Sequence, residues 1–392
     1  MSKIYTAIGL NLWSLALLLC GTSVNNLAAQ TLPKPDHIIF IIEENQPNSL
    51  VIGSSVASIA PYINQLALDT DAVVFNALYA IEHPSQPNYL DLFSGSNQGV
   101  LDDNLPANYP FSSPNMADEL VHNGYTFATY SQDLPNVGSD VQNSTTGSYA
   151  RKHNPVTNWV GNGQYQVSDT LNQPFTSLPA DFSQLPTVSF IVPDEDSDMH
   201  NGTYPSTVTV GDYWMRTYLS NLIQWARTHN SLVIYTFDED DGFENNNIPT
   251  IFIGPMVQHG TCSTNYTLFS ILRTIEDMYS LGEHAGAAAT ASDINNVWRS
   301  APAGINNTTA NSNLEIYPNP TSTILTFDAT KLADAFGEIA ITDVTGRTIA
   351  QYTLPESMKL NINTTSYTAG LYFYHLKQSN SASQTGKFVV SH

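Results

Sequence analysis

His37-Ile38-Ile39-Phe40-Ile41-Ile42 runs without interruption into Glu43-Glu44-Asn45. A short unbroken apolar run fits a strand buried on both faces, as in a parallel sheet covered by helices. Acidic and amide groups directly after it would fall at the strand's C-terminal end, where open α/β sheets collect their reactive groups. Working outward, residues 56–68 have helical spacing and 73–79 read as a strand. Residues 187–192, 231–237 and 250–254 are further strands, and helices are expected over about 213–228 and 266–281. Strands alternating with helices predict an α/β domain, doubly wound on a mostly parallel sheet.

The pattern changes after the polar stretch 299–312 (RSAPAGINNTTANS), which reads as a linker. From 313 to 392, short apolar strands alternate with turn residues and no helical stretch intervenes, which predicts a small all-β sandwich. At the other end, Lys3 precedes an apolar stretch densest from Leu10 to Cys20, and small residues close it at Ala28-Ala29. Residues 1–29 therefore read as an export signal, leaving 30–298 as the candidate catalytic domain and no transmembrane segment in the mature chain.

Composition narrows the function. The 392 residues carry 13 Lys+Arg against 35 Asp+Glu, a formal charge of −22, while 42% are hydrophobic. With 20 Tyr, 16 Phe and 5 Trp the chain can build a core, which excludes a disordered acidic tail. So few cations argue against a nucleic-acid partner. Two cysteines, Cys20 and Cys262, give no disulfide framework.

Four segments place reactive groups at expected strand ends. Glu44 and Asn45 follow the first strand, with an Asx turn or a helix cap as the plain alternative. His83-Pro84-Ser85-Gln86-Pro87 precedes a helical pattern, so Ser85 is either a helix cap or a hydroxyl held at a positive dipole end. Asp238-Glu239-Asp240-Asp241 follows 231–237; it is a solvated acidic loop or a set of oxygen ligands for a divalent cation. Pro193-Asp194-Glu195-Asp196-Ser197-Asp198-Met199-His200 has calcium-loop spacing, but Met199 stands where the turn glycine belongs and the later Glu is missing. His200 is then a metal ligand or a proton donor. Clustered carboxylates cannot hold an anionic substrate without a cation, so metal-assisted attack on a phosphoester is the coherent reading.

These segments, with Tyr149–Pro155 (YARKHNP), GDYWMRTYLSNLIQWA and SILRTIEDMYSLG, resemble in order the phosphoesterase family of acid phosphatases and phospholipases C, within the alkaline phosphatase superfamily. The resemblance covers about residues 36–298. It implies a metal-dependent phosphate-ester hydrolase in which Ser85 is the nucleophile. Glu44, Asn45, Asp238 and Glu239 would then hold a divalent metal ion, and His83, His153 and His200 would contact phosphate or move protons. The family often has a histidine two residues before Ser270, where this chain has Leu268; leucine binds neither metal nor phosphate, which counts against a two-metal site. His259 and His284 lie nearby in sequence. The HPSQPNY form resembles the acid-phosphatase branch, favouring a phosphomonoesterase. The alternatives are a phospholipase C-type phosphodiesterase and a surface binding protein on a catalytically decayed scaffold.

Leu314–Pro320 (LEIYPNP), ITDVTGR from 341, TAGLYF from 368 and GKFVV from 386 resemble the sorting domain of the type IX secretion system. That implies secretion machinery as a partner and a secreted or cell-surface location.

Overall fold

The computed structural model describes residues 32–145, 147–282, 284–299, 314–331, 337–355, 357–378 and 384–392. The expected export signal, 1–29, and nearly all of the expected linker lie outside these. The chain divides into two compact units, Met1–Arg299 and Ser300–His392.

The first unit contains β1 (His37–Glu43), β2 (Ala72–Phe75), β3 (Leu78–Tyr79), β4 (Phe127–Ser131) and β5 (Asn172–Pro174). It continues with β6 (Val188–Val192), β7 (Ser231–Phe237), β8 (Thr250–Ile253), β9 (Gly260–Cys262) and β10 (Tyr266–Thr267). Its helices are α1 (Asn48–Val51), α2 (Pro61–Ala67), α3 (Ser85–Ser94), α4 (Met116–His122), α5 (Ser206–Ala226) and α6 (Leu268–Tyr279). One eight-stranded sheet has the order β5-β4-β6-β1-β7-β8-β2-β9. Every neighbouring pair is parallel except those made by β8, which runs against both β7 and β2. The helices pack in two groups, α2 with α5 and α3 with α4 and α6, the two layers of a doubly wound fold. β1 is central and its residues Ile38–Ile42 are buried, which is why its sequence is continuously apolar rather than alternating.

Three local expectations change. The helix expected over 56–68 begins only at Pro61, whose fixed φ suits a first helical position. The strand expected over 73–79 splits after Phe75: Asn76 N–H turns to the Cys262 carbonyl, and β3 pairs with β10 in a separate two-stranded sheet. α5 starts seven residues before the expected 213, because the β-branched run Thr207-Val208-Thr209-Val210 and Gly211 hide a helical stretch whose Thr207, Val208 and Gly211 are buried.

The second unit is all antiparallel. β11 (Glu315–Tyr317), β12 (Ile324–Asp328) and β15 (Lys359–Asn363) form one sheet in the order β11-β12-β15. β13 (Gly337–Asp343), β14 (Thr348–Thr353), β16 (Gly370–Gln378) and β17 (Gln384–Val390) form the other, in the order β14-β13-β16-β17. Leu325, Phe327 and Ile362 from the first share one core with Ile339, Ile341, Leu376 and Phe388 from the second. Two sheets closing on one apolar layer make the sandwich.

Candidate active site

Three adjacent strands, β6, β1 and β7, end side by side, and each delivers acidic groups to the same edge of the sheet. Glu43 pairs with Phe237 across β1 and β7, and the Asp238 N–H donates to the Glu43 carbonyl. This sets Glu44 beside Asp238. From the loop after β6, the Asp198 carbonyl accepts the Glu44 N–H at 2.8 Å. Glu44, Asp198, Asp238 and Glu239 are all buried. The first three residues of the acidic run after β7, Asp238, Glu239 and Asp240, are thus buried, and only Asp241 is solvated. Within this run, Asp240 has a structural task, accepting backbone N–H groups from Gly242, Glu244 and Asn246.

Ser85 is the first residue of α3, and Pro84 is the N-cap, with no side-chain cap bond. The hydroxyl therefore does not cap the helix. Ser85 Oγ lies 3.0 Å from Glu44 Oε2 and 2.9 Å from Glu239 Oε1. One hydroxyl carries one proton, so it can satisfy only one of these carboxylates. The other needs a proton of its own or a cation. Asp238 also borders Ser85 and Glu44, and its Oδ2 is buried with no hydrogen-bond partner. Burial, then the neighbouring Asp238 and Asp198 charges, push Glu44 well above the ordinary carboxylate range. Burial, followed by the Glu239 charge, lifts Asp238 to about 8, and burial also raises Glu239. Three buried carboxyl groups around one hydroxyl, one with an orphaned oxygen, have the chemistry of a hard divalent-cation site. Asn45 adds its backbone N–H, 3.3 Å from Asp238 Oδ1; it is left-handed, with φ 55°, and lines an open cavity of about 390 Å³ with His83, Pro84 and Glu239.

The other oxygen of Glu44 faces different partners. Oε1 accepts from Tyr89 Oη at 2.8 Å and lies 3.1 Å from His153 Nε2. The buried His153 ring stacks on Tyr89, and its Nδ1 is 3.2 Å from Asp198 Oδ2. Neither His153 Nε2 nor Asp198 Oδ2 forms an aligned hydrogen bond, despite these short approaches. Burial, then the charges of Lys152 and His200, push the pKa of the His153 imidazole well below its ordinary value. His200 is 5.6 Å from His153, ring to ring. One ligand atom each from Glu44, His153 and His200 lie within 4.8 Å of one another, the one such group among the described residues. Lys152 Nζ sits 3.0 Å from His200 Nε2. An ammonium only donates, so Nε2 accepts and the imidazole proton is on Nδ1. A cation on this side of Glu44 would face that ammonium, whereas the Ser85 side offers only carboxylates and an amide.

His83 stands apart from the histidine pair. Its Nδ1 contacts Glu239 Oε2, its Nε2 is 3.3 Å from Asp240 Oδ1, and its side chain is 45% exposed. The structure thus gathers all eight sequence-derived site residues at one sheet edge. Sequence reasoning passed over Tyr89, Lys152 and Asp198, the last of which also accepts the His200 N–H at 2.9 Å. The signal for Asp198 was the acidic run 194–198, where nothing distinguished it from its neighbours. Leu268 opens α6 inside the core, after a capping box between Thr267 and Ser270. His259 and His284 do not take the place of the absent histidine: they bond the Asp69 carbonyl and Asp277.

The model of the phosphoesterase family matches residues 40–282, and that of the secretion system C-terminal sorting domain matches 315–391. The sorting domain implies type IX secretion to the cell surface or beyond. No helix among the described residues is long and apolar enough to cross a membrane. A phosphatidylinositol-3-phosphatase of Mycobacterium tuberculosis is 39% identical over 274 residues, 69% of this chain and 86% of that protein. An acid phosphatase of Aspergillus fumigatus is 28% identical over 236 residues, 56% of this chain, and the match spans about half (51%) of that protein. A solved alkaline phosphatase superfamily protein of Vibrio parahaemolyticus aligns with a TM-score of 0.48 at 12% identity, over 91% of this chain and 80% of that one. The chain belongs to the phosphoesterase family and is a hydrolase acting on phosphate ester bonds.

Proposed function

We propose that this protein is a secreted, metal-dependent phosphomonoesterase of the acid-phosphatase kind, with Ser85 as nucleophile. The observation that carries the reading is the Ser85 hydroxyl held between Glu44 and Glu239 at the C-terminal edge of the sheet. Glu44, Asn45, Asp238 and Glu239 would hold one divalent cation, which when bound favours the serine alkoxide and offsets the substrate's charge. Ser85 Oγ gives its proton to Glu239 or Glu44 and attacks phosphorus, forming an Oγ–P bond as the P–O bond to the leaving group breaks. His200, when protonated at both ring nitrogens and released from Lys152, would supply the proton that the departing alkoxide takes. Asp198 and Tyr89 orient His153 at the inner wall, and His83 orients Glu239. Water then cleaves phosphoserine, releasing inorganic phosphate and restoring the hydroxyl.

The test is hydrolysis of p-nitrophenyl phosphate, bis-p-nitrophenyl phosphate and phosphatidylcholine by the purified chain, with and without EDTA. Monoester turnover that EDTA stops and added metal restores is the expected result. Turnover of the diester or the lipid alone would move the protein to the phospholipase branch. A lipid-borne monoester is the second reading. Phe243, 87% exposed, stands next to Gly242 of the open cavity, where it could meet an acyl chain, and the mycobacterial relative carries a phosphoinositide name.

A further inference from the structure

A phosphate group at Ser85 would face Glu44 and Glu239, which contact the hydroxyl, and Asp238, which borders it. Among the described residues, Lys152 is the one Lys or Arg bonded to a site histidine. Its Nζ lies 3.0 Å from His200 Nε2, 3.2 Å from Asp103 Oδ2 and 3.5 Å from Glu195 Oε1. Asp103 is itself fixed, since its Oδ1 accepts the Gln86 N–H one residue after Ser85. Lys152 lines a second, smaller cavity with Gln86, Asp103, Leu105 and Arg151, whose guanidinium uses three of its five N–H groups within the protein. That guanidinium bonds Asp140, Asn158 and the Thr157 carbonyl and lies over the Tyr109 ring. The turn 151–153 thus divides the work: Arg151 braces the loop, His153 lies under Glu44, and Lys152 lines the smaller cavity with Gln86, the residue after Ser85.

The three ammonium protons of Lys152 are unequally used. Two make short contacts, and the third is left with the long approach to Glu195. A phosphoryl oxygen is a stronger partner than a carboxylate at 3.5 Å. A monoester dianion has one more charge to offer that ammonium than a diester monoanion has.

We propose that Lys152 is the residue by which this site prefers phosphomonoester dianions to phosphodiester monoanions: its Nζ exchanges the long Glu195 contact for a non-bridging phosphoryl oxygen. The inference rests on the phosphomonoesterase reading and names the group that discriminates.

The experiment compares wild type, Lys152→Met and Lys152→Arg as full chains on p-nitrophenyl phosphate and bis-p-nitrophenyl phosphate. Lys152→Met is expected to lower the monoester-to-diester ratio of kcat/KM by about tenfold or more, chiefly through the monoester KM, since a charged hydrogen bond is lost. Lys152→Arg keeps the charge and should retain the ratio within about threefold. If Lys152→Met does not fold, Lys152→Gln is read the same way. An unchanged ratio overturns the inference while leaving the phosphomonoesterase reading intact. If wild type hydrolyses neither ester, that reading fails and the inference falls with it.

Discussion

Ser85 Oγ lies 2.9 Å from Glu239 Oε1, though the two residues are 154 positions apart in the chain. Ser85 begins the helix after β3, and Glu239 is two residues past the end of β7. If Ser85 is the nucleophile, Ser85→Ala should lower kcat by about 10³-fold or more while the variant still folds, with a modest fall in Tm because a donor to buried carboxyl groups is lost. Steady-state kinetics on p-nitrophenyl phosphate with a parallel thermal melt reads both. Wild-type kcat in the variant would remove Ser85 from the mechanism.

Asp198 touches His153 Nδ1 and the His200 backbone but not Ser85. Asp198→Asn should therefore lower kcat by about 10- to 100-fold with KM little changed, the usual effect of losing a group that orients a site histidine. Glu195→Gln, in the same loop but partly exposed, should change kcat less than threefold, by roughly the weak value of an exposed contact. Equal losses in the two variants would mean general disruption of the loop rather than orientation of His153.

Glu119 of α4 and Glu276 of α6 meet away from the site. Burial, then the partner's charge, lifts Glu119 to about 9, and burial lifts Glu276 to about 7. The Oε2 atom of each lacks a donor, so one carboxyl must keep a proton to bond the other. Both folded pKa values stand above the ordinary 4.5. The pair's stabilisation is thus complete below about pH 4.5 and is lost as pH rises through 7 to 9. Glu119→Gln supplies a permanent donor. Its Tm should match wild type near pH 4.5 and exceed it at pH 8.5, by melts across that range. A constant difference at every pH would show that the carboxyl pair does not titrate as described.

Gly211 lies inside α5, where replacing glycine by alanine ordinarily gains about 1 kcal/mol. Here a Cβ would stand 2.7 Å from Met199 Cγ and 3.1 Å from Glu43 Oε2. Met199 is buried, with φ 79°, and precedes His200, so it has little room to move. Gly211→Ala should therefore destabilise by about 1–3 kcal/mol in denaturant titration. A gain would mean that the loop 193–200 yields freely.

The sequence by itself determined the order of elements in the first unit and the strand ends that carry chemistry. An unbroken run such as 38–42 can be buried only in a sheet covered on both faces, and such a sheet collects polar groups at its C-terminal edge. It also determined the all-β second unit, through period-2 strands and turn residues without a helical stretch. It could not decide between bland and functional readings of Ser85, of Glu44-Asn45 or of the acidic run 238–241. A serine that caps a helix and one that faces buried carboxyl groups have the same local sequence, and only contacts across 154 positions separate them. The tertiary structure alone set Asp198 apart from Asp194 and Asp196, because one-residue steps in a loop decide which carboxylate faces His153. It alone gave Glu44 two faces, one toward Ser85 and one toward His153, since a single carboxylate's two oxygens acquire different partners only when three strands end side by side.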